Sequence, residues 1–304
     1  MKSDSCFINP YTDFGFKRLF GTELNKELLI DFLNALLDNE ETILDVHYLN
    51  TEHLGTSESD RRAVFDVYCE NEKGEKFLVE MQRGEQQFFK DRSLYYSTFP
   101  IREQAKKGNE WQYELKAVYV IGILNFTFKG ADKESYLTEV MLMDKKKKEV
   151  FYDKLTFLYI EIPKFNKKES EIETLLDKWM YVLRNLSSLL ERPPALQERI
   201  FTKLFKEAEI AHYKPEEQAA YEESLKVYRD WVSTIATAEL KGEMRGLEQG
   251  RAEGRAEGRA EGRAEGELKE RIRVAKTLKQ MHLSIEDIAR ASGLSQEEIE
   301  QLDF

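Results

Sequence analysis

The stretch Ala63–Gln82, AVFDVYCENEKGEKFLVEMQ, decides the fold, because two apolar segments in it flank a polar turn at Asn71–Glu75. This pattern predicts an antiparallel β-hairpin centred within that turn. In the corresponding register Asp66 lies opposite Glu80. Side chains alternate faces along a strand, so we expect Asp66, Glu80 and Gln82 to share one face of the hairpin.

The two acids have no packing role in strands that are otherwise built of Val, Phe, Tyr and Leu, where an unpaired buried carboxylate costs several kcal/mol. A divalent cation would balance their charges. Carboxylate and amide oxygens suit Mg²⁺, or Mn²⁺ in its place, and a water held there can attack a phosphodiester. The same pattern fits a solvated hairpin face with Arg61, Arg62 and Lys76 as ion-pair partners. As metal ligands lining solvent, the acids would be replaceable without loss of folding.

The spacing of these residues, FD-(x13)-EMQ, resembles the PD-(D/E)XK nuclease superfamily, in which an acid on one strand and E-x-K or E-x-Q on the next bind the metal. Three further segments resemble the PD-(D/E)XK nuclease family transposases, which are related to the recombination-promoting nucleases. These segments are NPYTDFGFKRLFG (9–21), NKELLIDFLNALL (25–37) and FFKDRSLYY (88–96). The resemblance covers about the first half of the chain.

The resemblance implies an α/β fold: a restriction-endonuclease-like PD-(D/E)XK core, with a mixed sheet flanked by helices, and an α-helical C-terminal extension. It implies that Asp66 and Glu80 bind the metal and that Asp66, Glu80 and Gln82 form the catalytic set. Gln82 occupies the place usually held by Lys. A neutral amide can orient a water, but it cannot stabilise negative charge as a cation does.

The function that follows is a metal-dependent DNA endonuclease linked to recombination, transposition or defence against mobile elements. Two alternatives remain open. The first alternative is a nuclease fold that has lost catalysis and serves as a binding module. The second is a scaffold that assembles through its C-terminal arm.

Two helices are predicted before the hairpin, one from Thr12 to Gly21 and an amphipathic one over Glu23–Leu37. Asp13 and Lys17 lie four residues apart in the first of them. They are accessory candidates that either approach the metal site or pair with each other, and we favour the pair.

A further helix is predicted after the hairpin, over Gln87–Lys107. Lys90, Arg92 and Tyr96 on this helix are candidate phosphate contacts, since a cation and a phenol four residues apart can face the same phosphate. The tyrosine fits a core position equally well.

A near-continuous apolar run at Leu115–Phe126 predicts a strand buried on both faces of a helix-covered sheet. The basic run Lys145–Lys148 lies between two predicted strands and fits a solvated hairpin tip better than a DNA contact. The remaining strands are predicted over Ile43–Asn50, Val140–Met143 and Leu155–Ile162.

The C-terminal third contains a repeat in which glycine recurs every four residues from Gly242 to Gly266, with GRAE between. Each Gly in a helix costs about 1 kcal/mol relative to Ala, so the pattern predicts a semi-flexible helical arm. Alternatively, the small residues let two chains approach closely and pair Arg with Glu. The segment from Ser284 onward resembles a helix-turn-helix unit, but its many acids disfavour groove reading and favour self-association.

These patterns predict four parts of the chain: a nuclease core (1–165), a helical completion of the core (166–240), the repeat arm (241–266) and a small helical unit (267–304).

Composition sets limits on this interpretation. The 304 residues are 41% hydrophobic, enough for a sizeable core, and the formal charge of −11 disfavours a broad electrostatic grip on DNA. A metal site with a local basic rim can still serve one active site. There is no apolar run of membrane-spanning length and no signal-peptide pattern, so we expect a cytoplasmic protein. Cys6 and Cys69 are too isolated for a disulfide framework or a zinc site.

Overall fold

The computed structural model describes residues 5–37, 42–53, 63–105, 112–130 and 134–302. The chain divides into two compact units, Met1–Arg229 and Asp230–Phe304. The helices are α1 (Asp13–Phe20), α2 (Lys26–Leu37), α3 (Phe89–Glu103), α4 (Leu175–Asn185), α5 (Arg199–Ala208), α6 (Pro215–Gln280), α7 (Ile285–Ser292) and α8 (Gln296–Glu300). The strands are β1 (Val46–Tyr48), β2 (Glu52–His53), β3 (Ala63–Val64), β4 (Val67–Asn71), β5 (Lys76–Gln82), β6 (Val118–Leu124), β7 (Leu137–Asp144) and β8 (Glu149–Glu161).

The first unit is built on a six-stranded mixed sheet with the order β1-β4-β5-β6-β8-β7. Strands β5, β6 and β8 run parallel to one another, whereas β1, β4 and β7 are antiparallel to their neighbours. Strand β6 is buried on both faces, as the apolar run predicted. Helices flank this sheet, so the predicted α/β fold with a mixed sheet and a C-terminal helical region is confirmed.

The central hairpin, β4–β5, has the predicted register. Val67 pairs with Val79 and Glu70 with Lys76, so the same register brings Asp66 opposite Glu80. The turn is closed by the Asn71 side chain, whose Oδ1 accepts from the N–H groups of Lys73 (3.0 Å) and Glu75 (2.9 Å). Gly74 in this turn has φ 81°, a left-handed conformation that glycine adopts without steric cost. Turn chemistry that is legible in the sequence therefore fixes the register.

Local signals also set the N-terminal helices. The Thr12 hydroxyl accepts from the Gly15 N–H at 3.0 Å, and α1 ends before Gly21, as predicted. The next helix begins with a 3₁₀ turn at Glu23–Asn25 before α2 continues to Leu37. The predicted start is confirmed, although its first turn is tighter than an α-helix.

The sheet separates two apolar clusters. On one face Val67, Phe77 and Val79 pack with the helices α1, α2, α4 and α5, around the fully buried Trp179. On the other face Tyr68 and Leu78, with residues of β6 and β8, pack against Phe89 and Phe99 of α3. Helix α3 therefore covers the face of β5 from which Glu80 and Gln82 project.

Other boundaries shifted without changing the element type. Strand β8 begins at Glu149, earlier than the predicted Leu155, because it forms a hairpin with β7. The tip of that hairpin is the basic run 145–148, where the Asp144 Oδ1 accepts from the N–H groups of Lys146 and Lys147. Helix α3 ends at Glu103, before the predicted end at Lys107, which itself lies outside the described residues. The loop expected at Gly55–Ser57 from its small polar residues also lies outside them.

The second unit is helical. The glycine repeat lies within α6. A small core of Ala275, Ile288, Leu294 and Ile299 joins the end of α6 to α7 and α8. Both short helices are capped, since the Ser284 and Ser295 hydroxyls accept from the N–H groups of Asp287 and Glu298. The four-part division and the flexibility of the arm stay predictions. Across the described ranges, none of the helices combines the length and apolarity needed to cross a membrane.

Candidate active site

The structure brings Asp66 and Glu80 together at the end of the central hairpin. The Asp66 N–H donates to Glu80 Oε1 at 3.3 Å, and the Met81 N–H donates to Asp66 Oδ2 at 2.8 Å. Each carboxylate is thus held by the backbone of the opposite strand. The β-hairpin alone is sufficient to position the two acids.

Gln82 completes the cluster on the same face. Its Nε2 donates to Glu80 Oε2 at 3.0 Å, and Glu80 and Gln82 are only 7% and 6% exposed. The expectation that these ligands line solvent is therefore wrong for Glu80. Helix α3 packs over this face of the sheet, and the residue pattern of the two strands does not show which face the following helix covers.

Burial makes the carboxylate pair electrostatically unfavourable. Desolvation is the main cause, and repulsion from Asp66 the second, of a rise in the pKa of Glu80 to about 8. Arg92 and the hydrogen bonds from Asp66 and Gln82 act in the opposite direction. Desolvation also raises the pKa of Asp66, while the hydrogen bond from the Met81 N–H opposes it. The site therefore holds more negative charge than its own donors balance.

Arg92 of α3 supplies part of the missing positive charge. Its Nη2 lies 3.7 Å from Glu80 Oε2, and its guanidinium lies 5.3 and 5.5 Å from the ring centroids of Phe89 and Tyr96. Nη1 also donates to the side chain of Gln86. These contacts aim the predicted cation at the acid pair.

The other predicted residues are divided between two places. The Tyr96 ring lies 5.0 Å from that of Phe65 in an edge contact, so the tyrosine both packs in the core and supports Arg92. Lys90 is exposed and lies over the Phe128 ring at 4.6 Å, away from the two acids. The structure thus separates Lys90 from the cluster that holds Arg92.

Asp13 and Lys17 form the predicted ion pair at 3.0 Å, with both side chains about half exposed. Their charges also act on Asp66, raising and lowering its pKa respectively. Of the alternative ion-pair partners, Lys76 pairs with Glu70 instead. Arg61 and Arg62 lie outside the described residues.

The residues present fit a divalent cation. Among the described residues, no group of three or more His, Cys, Asp and Glu side chains could hold a metal ion. Mg²⁺, however, commonly binds through one or two carboxylates and keeps several waters. Asp66 and Glu80 provide two such carboxylates, Gln82 adds a third oxygen-bearing group, and their unbalanced charge favours a cation.

Sequence reasoning missed Glu161, a fully buried acid at the end of β8. Its Oε1 accepts from the Phe128 N–H at 2.6 Å, and its Oε2 accepts from Lys164 Nζ at 2.5 Å. The parallel register places Gln82, Leu124 and Glu161 at one level of the sheet. The sequence signal for Glu161 was an acid at the end of the apolar run LTFLYIE. Glu80 stands in the same way after the apolar residues FLV of β5.

The acid pair lies on a β-hairpin that is part of a mixed sheet, and helices flank that sheet. This arrangement is characteristic of an α/β fold of the PD-(D/E)XK type. A family model described as PD-(D/E)XK nuclease family transposase matches residues 10–238. The chain belongs to this family, and the resemblance read from its motifs is confirmed. Neither the curated proteins nor the solved structures gave a match.

Proposed function

We propose that this protein is a divalent-metal-dependent DNA endonuclease that hydrolyses phosphodiester bonds at the Asp66–Glu80–Gln82 cluster. The observation that carries the proposal is the buried pair of facing carboxylates, whose raised pKa values mark a site short of positive charge. Perturbed pKa values of this kind concentrate at functional sites. The family description, nuclease and transposase, supports this reaction class.

Asp66 and Glu80 would hold the cation, Mg²⁺ or Mn²⁺. Such an ion, when bound, activates a water and stabilises charge on the phosphate. The Met81 N–H keeps Asp66 in place for this role, and the Asp66 N–H does the same for Glu80. Gln82 orients a water through its amide.

Arg92 would contact the phosphate from the α3 side. Its guanidinium lies against Phe89 and Tyr96, which restricts its motion while leaving its side chain 30% exposed. A preorganised cation near the reacting group stabilises charge that develops in the transition state. Asp13 and Lys17 are exposed enough to contribute only a weak field.

A supercoiled-plasmid assay tests the proposal. We expect nicking or linearisation with Mg²⁺ or Mn²⁺ and no cleavage with EDTA. Asp66→Asn and Glu80→Gln should each abolish cleavage, because each removes a ligand charge while keeping the side-chain shape. Glu114→Gln is the matched control, since Glu114 is 72% exposed and contacts only Lys116 at 3.7 Å among the described residues.

Cleavage that persists in both site variants would refute the site. Metal-independent binding of DNA without any cleavage would instead support a catalytically inactive binding module. In that case the Gln82 amide, in place of the usual Lys, is the feature that explains the loss.

The biological setting we propose is DNA rearrangement in the cytoplasm, in recombination, transposition or defence. In this respect the protein would resemble the related recombination-promoting nucleases. We also propose a homo-oligomer assembled through the second unit. Leu240, Met244 and Leu247 form an apolar stripe at helical spacing on α6 and are 58%, 63% and 55% exposed. An exposed apolar stripe of this kind favours association with a second chain.

A further inference from the structure

An apolar groove of about 630 Å³ lies beside the start of α3, between that helix and the edge strand β7. Its floor contains Phe157 and Tyr159 of β8, and its walls include Leu94, Phe128 and Val140. A volume of this size lies within the range of about 300–1,000 Å³ that small-ligand pockets occupy. The groove lies outside the acid cluster, and its floor is the surface of the apolar cluster that α3 covers, where Phe157 and Tyr159 are buried.

The aromatic wall of the groove is fixed from below. Buried Glu161 accepts from the Phe128 N–H at 2.6 Å, and it is itself paired with Lys164. The Phe128 ring then contacts Tyr159 edge-on, at 5.4 Å between centroids. These contacts hold the backbone and the ring of Phe128 in a defined orientation, so this wall of the groove is ordered.

Positive charge lies along its rim. Lys90 sits over the Phe128 ring at 4.6 Å, and Lys129 is 88% exposed, with its ammonium 3.9 Å from Glu85. Flat apolar surfaces together with nearby cations are what a nucleotide requires, because bases stack on aromatic rings and lysines neutralise phosphates.

The groove adjoins the candidate active site. Tyr159 contributes to the groove and also to a small cavity that contains Glu80, Arg92 and Ser93. The Tyr159 and Ser93 hydroxyls are hydrogen-bonded at 2.6 Å. Tyr159 therefore lines both, and the groove and the cavity that contains Glu80 are neighbours.

We propose that this groove binds one unpaired nucleotide of the DNA strand that passes the acid cluster. The base stacks on the Phe128 ring in place of the Lys90 ammonium, and Lys90 and Lys129 then contact the flanking phosphates. This inference rests on the proposed function and deepens it, since the substrate becomes DNA with an unpaired nucleotide next to the cleavage point. A fully paired duplex cannot place a base in the groove without flipping it out.

The test uses the full chain carrying Asp66→Asn, in Mg²⁺, so that DNA binds without being cut. Fluorescence anisotropy compares a fully paired duplex with the same duplex carrying a one-nucleotide flap, and 2-aminopurine at the flap reports stacking. We expect about tenfold tighter binding of the flap DNA, in line with base–aromatic stacking. The 2-aminopurine signal should be quenched in the complex.

Val140→Trp, added to this chain, fills the groove and should lower flap binding to the duplex level. Val150→Trp is the matched control, because Val150 has similar exposure (46% against 42%) and lies outside the groove lining. Circular dichroism verifies that both variants fold. Lys90→Ala with Lys129→Ala should weaken flap binding more than duplex binding.

Four results would overturn the inference. Equal affinity for flap and duplex, with measurable binding of both, refutes the groove and leaves the proposed function standing. A flap preference that survives Val140→Trp does the same. A change of oligomeric state in Val140→Trp, seen by sedimentation, would make the groove an interface between copies. Absence of binding to either DNA removes the proposed function as well.

Discussion

Replacing Glu80 by Gln should stabilise the metal-free protein at alkaline pH, although it removes a candidate metal ligand. Glu80 is 7% exposed and shares its site with Asp66, whose carboxylate repels it. Gln has nearly the same shape and carries no charge. The substitution therefore removes an unfavourable charge without opening a cavity.

The magnitude follows from the pKa of Glu80, which lies at about 8 against an ordinary value of 4.5. Each pKa unit corresponds to about 1.36 kcal/mol, so the ceiling at pH 8 is about 5 kcal/mol. The substitution also removes the partly exposed contact with Arg92, at 3.7 Å, which reduces the gain in stability by less than about 1 kcal/mol. Structural relaxation around the buried charge lowers the remaining cost of that charge. We therefore expect Glu80→Gln to raise the free energy of unfolding by about 1–3 kcal/mol.

The sign depends on pH. Because its pKa is raised by folding, Glu80 binds its proton more tightly in the folded chain. Wild-type stability should therefore fall as pH rises from about 4.5 to 8. Below that window the carboxyl is neutral and Glu80→Gln should differ little from wild type. The advantage of the variant should grow steadily between pH 5 and pH 8.

Thermal and urea unfolding in EDTA at pH 5, 6, 7 and 8, followed by circular dichroism, would measure this. The midpoint of Glu80→Gln should lie about 2–10 °C above wild type at pH 8. Mg²⁺ should stabilise wild type and leave Glu80→Gln unchanged, since ligand binding adds stability only where the site is intact. Glu114→Gln should show neither effect. A variant less stable than wild type at pH 8, or a difference independent of pH, would refute the reasoning.

Three other outcomes are expected. Gln82→Lys should keep or raise plasmid cleavage and Gln82→Ala should lower it, and equal cleavage by Gln82→Ala and wild type would remove the amide from the reaction. Asp177→Ala should cost about 2–4 kcal/mol in urea unfolding, because buried Asp177 caps α4 through the Glu173 and Thr174 N–H groups and pairs with Lys167 at 2.8 Å. Because folding lowers its pKa, the contribution of the Asp177 charge is lost as pH falls below the ordinary range of an aspartate, so the difference between the variant and wild type should narrow there. A chain ending at Ala238 should sediment with fewer copies per particle than the full chain. An unchanged oligomeric state would exclude the second unit as the assembly element.

The sequence was sufficient to predict the hairpin, its register and the shared face of Asp66, Glu80 and Gln82. Each of these depends on interactions close in sequence: strand alternation, and the Asn71 side chain that closes the turn. The same holds for α1, whose cap Thr12 and terminal Gly21 are adjacent to it. Elements with strong local signals were placed within a few residues.

The burial of the site could not be predicted in this way. It depends on α3 crossing the sheet and on β6 pairing with β5, where Gly122 lies beside Glu80. A side chain at Gly122 would meet Tyr159 at 3.2 Å and Phe89 at 3.4 Å, so this close packing depends on an absent Cβ. Likewise, the separation of Lys90 from Arg92 reflects which partner each finds, Phe128 or Glu80.

The contrast between a local hairpin and distant parallel strands has a consequence for folding kinetics. The hairpin β4–β5 joins adjacent segments, so the two carboxylates can meet early and while still hydrated. Their desolvation, which strengthens their mutual repulsion, requires α3 and β6 to close over them, and we expect this step to follow formation of the hairpin. Changes at Glu80 should then act mainly on unfolding, so that Glu80→Gln slows unfolding by about 5- to 150-fold in EDTA at pH 8 and leaves the refolding rate nearly unchanged.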